Sequence, residues 1–358
     1  MERINVTKTF LPPRSEYDKY LQIIWDNKQL TNQGPLLKQF EHEAEGYLGL
    51  SGLQFVANGT VALQLALQAL DISSGEVITT PFSYVATTSA ILWERCTPIY
   101  VDIDPKTLCI DPRKIEAAIT ERTKAILAVH VFGIPCDTER IEAIAKKHDL
   151  KVIYDGAHAF GVQHKGKSLL DYGDIATCSF HATKPFHTIE GGCVITKNKD
   201  IAGRIELMKR FGHDGDDHRM LGVNAKASEF QAAMGLCNLQ YTNQIIKERK
   251  VVAELYDHLL LPGVVKRPQV PAEVEQNYAY YPVIFENGNH ALNVKKTLEL
   301  QGIFPRRYFY PSLNTLSYTE SGERCPVSEQ ISVSILCLPL YSGLDTKTVT
   351  QIVEVVNA

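Results

Sequence analysis

The chain has 358 residues, 44% hydrophobic and 22% charged, with a formal net charge of −4. That is the make-up of a globular protein long enough for one large core and a smaller one. Nothing basic invites nucleic acid or an anionic membrane surface, and no apolar run approaches spanning length.

The opening Met-Glu-Arg-Ile-Asn-Val-Thr-Lys lacks the apolar centre of a signal peptide. The eight cysteines are scattered, with no Cys-x-x-Cys pair. A cytoplasmic location with reduced, buried thiols is therefore expected. Residues 1–40 are expected to wrap onto a C-terminal unit or a partner chain. From about 50 to 200, helix-like and strand-like segments alternate. A helix is predicted over 60–70, a strand over 76–80, a helix over 83–94 and a strand over 97–103. Then follow a helix over 112–120, a strand over 124–132, and an amphipathic helix over 137–148 with Asp137 at its N-cap. Strands over 151–155 and 174–180 complete the series. The run from Ile126 to Val131 is apolar throughout apart from His130, as expected of a strand covered on both faces. Such alternation implies an α/β fold with a mostly parallel sheet and helices on both faces.

Residues 198–260 read as largely helical, with one or two helices over 227–261, until Leu261-Pro262-Gly263 punctuates the chain. Strands over 278–285, 302–309 and 335–338, with helices over 291–300 and 346–356, make a smaller α/β unit. The expected division is 1–40, 41–260 and 261–358.

Several short motifs sit at the ends of these elements. Asn58-Gly59-Thr60 precedes a helix rich in Ala and Leu. A glycine that admits an anion to the backbone, with a hydroxyl at a helix N-terminus, can form a phosphate cradle, although alone it is an ordinary N-cap. The chain has no Walker-type loop and no Gly-x-Gly-x-x-Gly after a strand. Tyr84, just past a strand end, can stack on a flat cofactor or simply pack. Asp155 ends one strand, Ser179 lies at the end of the next, and Lys184 follows in Ser179-Phe-His-Ala-Thr-Lys184-Pro-Phe. An acid at one strand end and a lysine after the next is the arrangement pyridoxal phosphate (PLP) chemistry needs. The amine holds the cofactor aldehyde as a Schiff base, and the acid keeps the pyridinium nitrogen protonated. Farther on, Gly222-Val-Asn224 follows the charged loop 212–219.

In their order these residues resemble the DegT-type sugar aminotransferases of the fold-type I PLP enzymes, over nearly the whole chain. The likeness runs through Gln33-Gly34-Pro35, Phe40-Glu41, Asn58-Gly59-Thr60, Asp102-Ile-Asp104, His130-Val-Phe-Gly133, Asp155, Ser179-Phe180, Lys184, Gly191-Gly192 and Gly222-Val-Asn224. The resemblance implies that Lys184 binds the cofactor and moves protons, and that Asp155 faces its ring nitrogen. Gly59, Thr60 and Ser179 would hold the phosphate and Tyr84 would stack on the ring. Asn224 would reach the phosphate of a neighbouring subunit's cofactor, which implies a homodimer with shared active sites.

Two positions depart from the family's usual Asp-Ala-Ala-Gln. Here it reads Asp155-Gly156-Ala157-His158, so a histidine stands near the cofactor's phenolic oxygen and its charge state becomes a variable. Dehydrating relatives carry histidine in place of the lysine; Lys184 argues against that branch. The resemblance further implies L-glutamate as amino donor and a nucleotide-linked 4-keto-6-deoxy sugar as acceptor. The expected acceptor is dTDP-4-keto-6-deoxyglucose, aminated at C4 for deoxyamino sugars such as those of lipopolysaccharide O-antigen. C3 amination and a GDP or UDP carrier stay open, as does a PLP-binding regulatory protein. Arg219, Arg306, Arg307, Tyr308 and Tyr310 are the candidates for the nucleotide and its diphosphate.

Overall fold

The computed structural model describes residues 3–319 and 322–358. Its main sheet has seven strands, in chain order β1 (Leu53–Val56), β2 (Glu76–Thr79), β3 (Thr97–Tyr100), β4 (Thr123–Val129), β5 (Lys151–Asp155), β6 (Ile175–Ser179) and β7 (Gly192–Ile195). They lie side by side as β1-β7-β6-β5-β4-β2-β3, with β7 running opposite to the other six.

Alternation along the strands sorts their side chains into two cores. Ile126 and Ala128 of β4 enter one, Ala125 and Leu127 the other. The first core is closed by α2 (Pro35–Leu48), through Leu37, Phe40 and Ala44, and by Ala232, Ala233 and Leu236 of the 31-residue α7 (Glu229–Leu259). The second is closed by α3 (Gly59–Ala69) and α6 (Lys199–Met208). Burial on both faces is why these strands read as unbroken apolar runs. Side chains stop the helices from fraying: Asn58 accepts from the Val61 N–H, Asp137 from Arg140, and Ser228 forms a capping box with Gln231.

After α7 a two-stranded antiparallel sheet pairs β8 (Tyr281–Ile284) with β9 (Ile335–Leu338). Val283, Leu336, Leu298 of α8 (Gly288–Leu300), and Val349 and Ile352 of the helix Thr346–Asn357 build a third core, which Val252 and Tyr256 of α7 join. Near the chain start, Ile4–Asn5 pairs in parallel with Ile303–Phe304. All eight cysteines are free and buried, and they are spread over these layers. No described helix is long and apolar enough to cross a membrane.

Several elements are shorter than the pattern predicts. The strand expected over 302–309 pairs only at Ile303–Phe304, because Pro305 has no N–H to offer a ladder; Arg306 then makes a single bridge to Cys337. The one expected over 278–285 begins at Tyr281, since Tyr278 takes φ +52°. The strand over 124–132 stops at Val129, and Phe132 turns into the left-handed region at φ 56°. The helix over 112–120 is one α turn, Pro112–Ile115, followed by a 3-10 turn.

Candidate active site

The C-terminal ends of β4, β5 and β6 open onto one cavity of about 240 Å³ that Val129, Asp155 and Ser179 line. A ligand site belongs at this edge of a parallel sheet, where loops and helix N-termini converge. The N-terminus of α3 completes one wall. Its first N–H groups, those of Gly59 and Thr60, have no acceptor inside the helix and create a positive end. Close contact requires glycine twice here. A Cβ on Gly59 would lie 2.9 Å from the Ser179 Cβ, and one on Gly192 would lie 2.7 Å from the Gly59 nitrogen.

Lys184 lies on the loop between β6 and β7. Phe186, two residues on, anchors that loop by stacking on Phe160 at 4.0 Å and packing beside Phe180 and Phe40. Turns from Lys184 N–H to the His181 carbonyl and from Thr188 N–H to the Phe180 carbonyl fix its path. The half-buried Lys184 donates from Nζ to the Tyr280 hydroxyl at 3.4 Å. Burial lowers its pKa below the usual lysine range, against the opposing pull of Tyr308, Asp155, Cys178 and Tyr84.

Asp155, 6% exposed, accepts from the Thr87 hydroxyl at 2.9 Å and from the Ala157 N–H at 3.0 Å. Burial raises its carboxyl, while those two donors and the Lys184 charge hold it down. The neighbouring Gly156 has a packing reason. A Cβ there would run into Leu170 and come within 3.0 Å of the Thr177 carbonyl oxygen. His158 is buried against Phe132 and Phe309, its ring nearly parallel to both, and its Nδ1 accepts from the Phe132 N–H at 3.2 Å. That bond assigns the remaining proton to Nε2. Burial, helped by the Lys184 charge, pushes the imidazole pKa well below its ordinary value. So the charge state left open by the sequence resolves to a neutral donor in one tautomer.

Gly59, Thr60, Tyr84, Asp155, His158, Ser179, Lys184 and Arg306 all line this cavity. Tyr308, with Phe309, does so too. Tyr84 sits as the N-cap of the helix Val85–Trp93, 56% exposed. Arg306 lies over the Tyr308 ring at 4.6 Å. The other four candidates, Arg219, Asn224, Arg307 and Tyr310, lie outside the cavity lining. Arg219 pairs with Asp214 at 2.6 Å on an exposed hairpin, and Tyr310 lies under Arg307 at 3.6 Å. Asn224 is exposed and accepts from Lys226 Nζ at 2.8 Å. Sequence reading missed Thr87 and Tyr280. Thr87 falls one helical turn after the Ser83-Tyr84 pair, a spacing that offered a weak signal; Tyr280, inside a tyrosine-rich strand pattern, offered none.

These groups fit PLP. A helix N-terminus tightened by two glycines suits a phosphate, a buried carboxylate suits a ring nitrogen, and a partly desolvated lysine suits an aldehyde. Among the described residues no cluster of three or more His, Cys, Asp or Glu could hold a metal ion.

The chain resembles known proteins over nearly its whole length. Residues 13–357 match the DegT/DnrJ/EryC1/StrS aminotransferase family. The chain is 41% identical to a dTDP-4-amino-4,6-dideoxy-D-glucose transaminase of Shigella dysenteriae, over 99% of the chain and 98% of the relative. It is 39% identical to an Escherichia coli protein of the same name, over 98% of the chain and 97% of the relative. Among solved structures, that of DesI in the presence of its TDP-sugar product superposes with a TM-score of 0.95 at 29% identity, covering 100% of this chain and 93% of that one.

Proposed function

The chain belongs to the DegT/DnrJ/EryC1/StrS aminotransferase family, whose members depend on PLP, and we propose that it moves an amino group from L-glutamate to dTDP-4-keto-6-deoxyglucose. The product would be dTDP-4-amino-4,6-dideoxyglucose. The observation that carries the proposal is the meeting of Lys184 and Asp155 in one cavity beneath the N-terminus of α3, in a chain 41% identical to a transaminase named for that product.

When bound, PLP supplies an electrophilic aldehyde and a ring that takes up electrons from the reacting carbon. The chain does the rest. Gly59 and Thr60 N–H groups, with the Ser179 hydroxyl, hold the phosphate. Asp155, held in place by hydrogen bonds from the Thr87 hydroxyl and the Ala157 N–H, faces the ring nitrogen and holds a proton there. His158 offers its Nε2 proton to the ring's oxygen. Lys184 Nζ, as a free amine, takes the proton from Cα of the amino donor and returns one to the sugar carbon that receives nitrogen. Arg306 and Tyr308, which line the cavity, meet the diphosphate and the sugar.

In this reading, residues 41–260 carry the cofactor and 261–358 close over the substrate. The working unit is a homodimer in which Asn224 of each chain completes the other's phosphate pocket. The test is mass spectrometry of products from a panel of dTDP, GDP and UDP keto-sugars with glutamate. A dTDP-linked 4-amino sugar is expected, and exclusive turnover of another carrier or carbon rejects the substrate. Borohydride should fix PLP to Lys184, and Lys184→Ala should lose turnover by at least about a thousandfold.

A further inference from the structure

Tyr280 reaches the cavity from the stretch that precedes β8, and much buried chemistry fixes it there. Asn277, 1% exposed, donates from Nδ2 to the carbonyls of His158 and Phe160, each at 2.9 Å. Its Oδ1 accepts from the Ala279 N–H at 3.0 Å. From α7, the buried Arg249 donates to the carbonyls of Tyr278 at 2.8 Å and Ala279 at 2.7 Å. Burial brings that guanidinium down to about 10, a sign of how much solvation it gives up. Between them Tyr278 takes φ +52°, a conformation that a bulky side chain enters at a cost. Two desolvated side chains and one strained residue thus serve a segment whose single reach into the site is the phenol of Tyr280. Its oxygen lies 3.4 Å from Lys184 Nζ, and its ring packs against that of Tyr308, centroids 5.2 Å apart.

We propose that Tyr280 is a positioning residue for Lys184, accepting from Nζ and holding the amine in the cavity whenever it is free. The inference rests on reading the site as a lysine-dependent aminotransferase. The proton stays on nitrogen, and only a hydrogen bond is made and broken. Without that acceptor a four-carbon stem would leave Nζ several rotamers, and each turnover would have to find the productive one again. The other groups facing Lys184 are Tyr308, Asp155, Cys178 and Tyr84, with neutral His158 beside them.

Tyr280→Phe removes the oxygen and keeps the ring against His158, Phe132 and Tyr308. In the full-length chain freed of cofactor, acetylation of Lys184 is followed across pH by peptide-resolved mass spectrometry. Loss of an acceptor disfavours the ammonium, so half-maximal labelling should move down by about one pH unit. Exposed lysines in the same digests should give identical profiles in the two proteins. With cofactor and substrates, kcat should fall about tenfold while KM for the sugar nucleotide stays within about twofold. A labelling midpoint that stays put or moves up overturns the proposal. Should the phenylalanine variant fold poorly, 3-fluorotyrosine in place of Tyr280 weakens the same acceptor and should give a smaller shift of the same sign; no shift there overturns it equally. The labelling uses no sugar. A wild-type chain inactive on the proposed acceptor would therefore reject the substrate reading and leave this one standing.

Discussion

His158 shows how one side chain couples the site to the stability of the fold. In the native protein burial holds its imidazole well below 6.5, and His130, stacked on Tyr154 and fully buried, is pushed down to about 3. In the unfolded chain both titrate near the ordinary value of roughly 6.5. Below that pH the unfolded state binds protons that the native state refuses, so stability falls as pH drops from about 6.5 toward 3. The raised carboxyl of Asp155 acts in the opposite sense above its unfolded value of about 3.9, but cannot offset two histidines. Thermal unfolding followed between pH 7 and pH 4.5 should show this loss, and His158→Gln should reduce its slope by one proton. Glutamine can still donate one hydrogen bond, so the variant should keep substantial activity. An unchanged slope would place a charged imidazole in the native site.

At the scale of elements, the decisive contact is the N-terminus of α3 against the end of β6. Alanine is a better helix former than glycine by about 1 kcal/mol, so propensity alone favours Gly59→Ala. The added methyl, however, would stand 2.9 Å from the Ser179 Cβ and force apart the two pieces proposed to hold the phosphate. Affinity for PLP, measured by equilibrium dialysis, should fall about tenfold or more while circular dichroism stays native. Equal affinity would mean the phosphate is held elsewhere. This edge of the sheet was readable from the chain because each strand ended in a chemically distinctive residue: Asp155, Ser179, and then Lys184 on the loop. Period and burial made β4 to β6 and the caps at Asn58 and Asp137 legible in the same way. The other wall was legible only in part, through Arg306 and Tyr308. Tyr280 and residues 306–309 arrive through a left-handed tyrosine and a proline that interrupts a strand, and no periodicity announces where such a segment goes. Nor does a local pattern reveal that β7 turns back antiparallel between β1 and β6, since that choice is settled by long-range pairing.

Across the whole molecule, the cavity joins the main sheet to the segments around β8 and β9, while Asn224 lies outside its lining. That loop exposes Phe211 at 47%, Leu221 at 84% and Val223 at 44%, more apolar surface than a short loop normally leaves in water. The proposed homodimer makes a sharp prediction. Chains with Lys184→Ala mixed one to one with chains carrying Asn224→Ala should regain about a quarter of wild-type activity. Half the dimers are then mixed, and each has one site with both residues intact. Recovery absent despite proven subunit exchange would return Asn224 to its own chain. The buried cysteines carry a last consequence for the molecule as a whole. Because Cys96 sits in one face's core, Cys178 and Cys193 in the other, and Cys337 in the small sheet, the folded chain presents no reactive thiol among them. Every alkylation event therefore timestamps an opening of the layer that holds that sulfur, and the chain keeps its own record of which part breathes first.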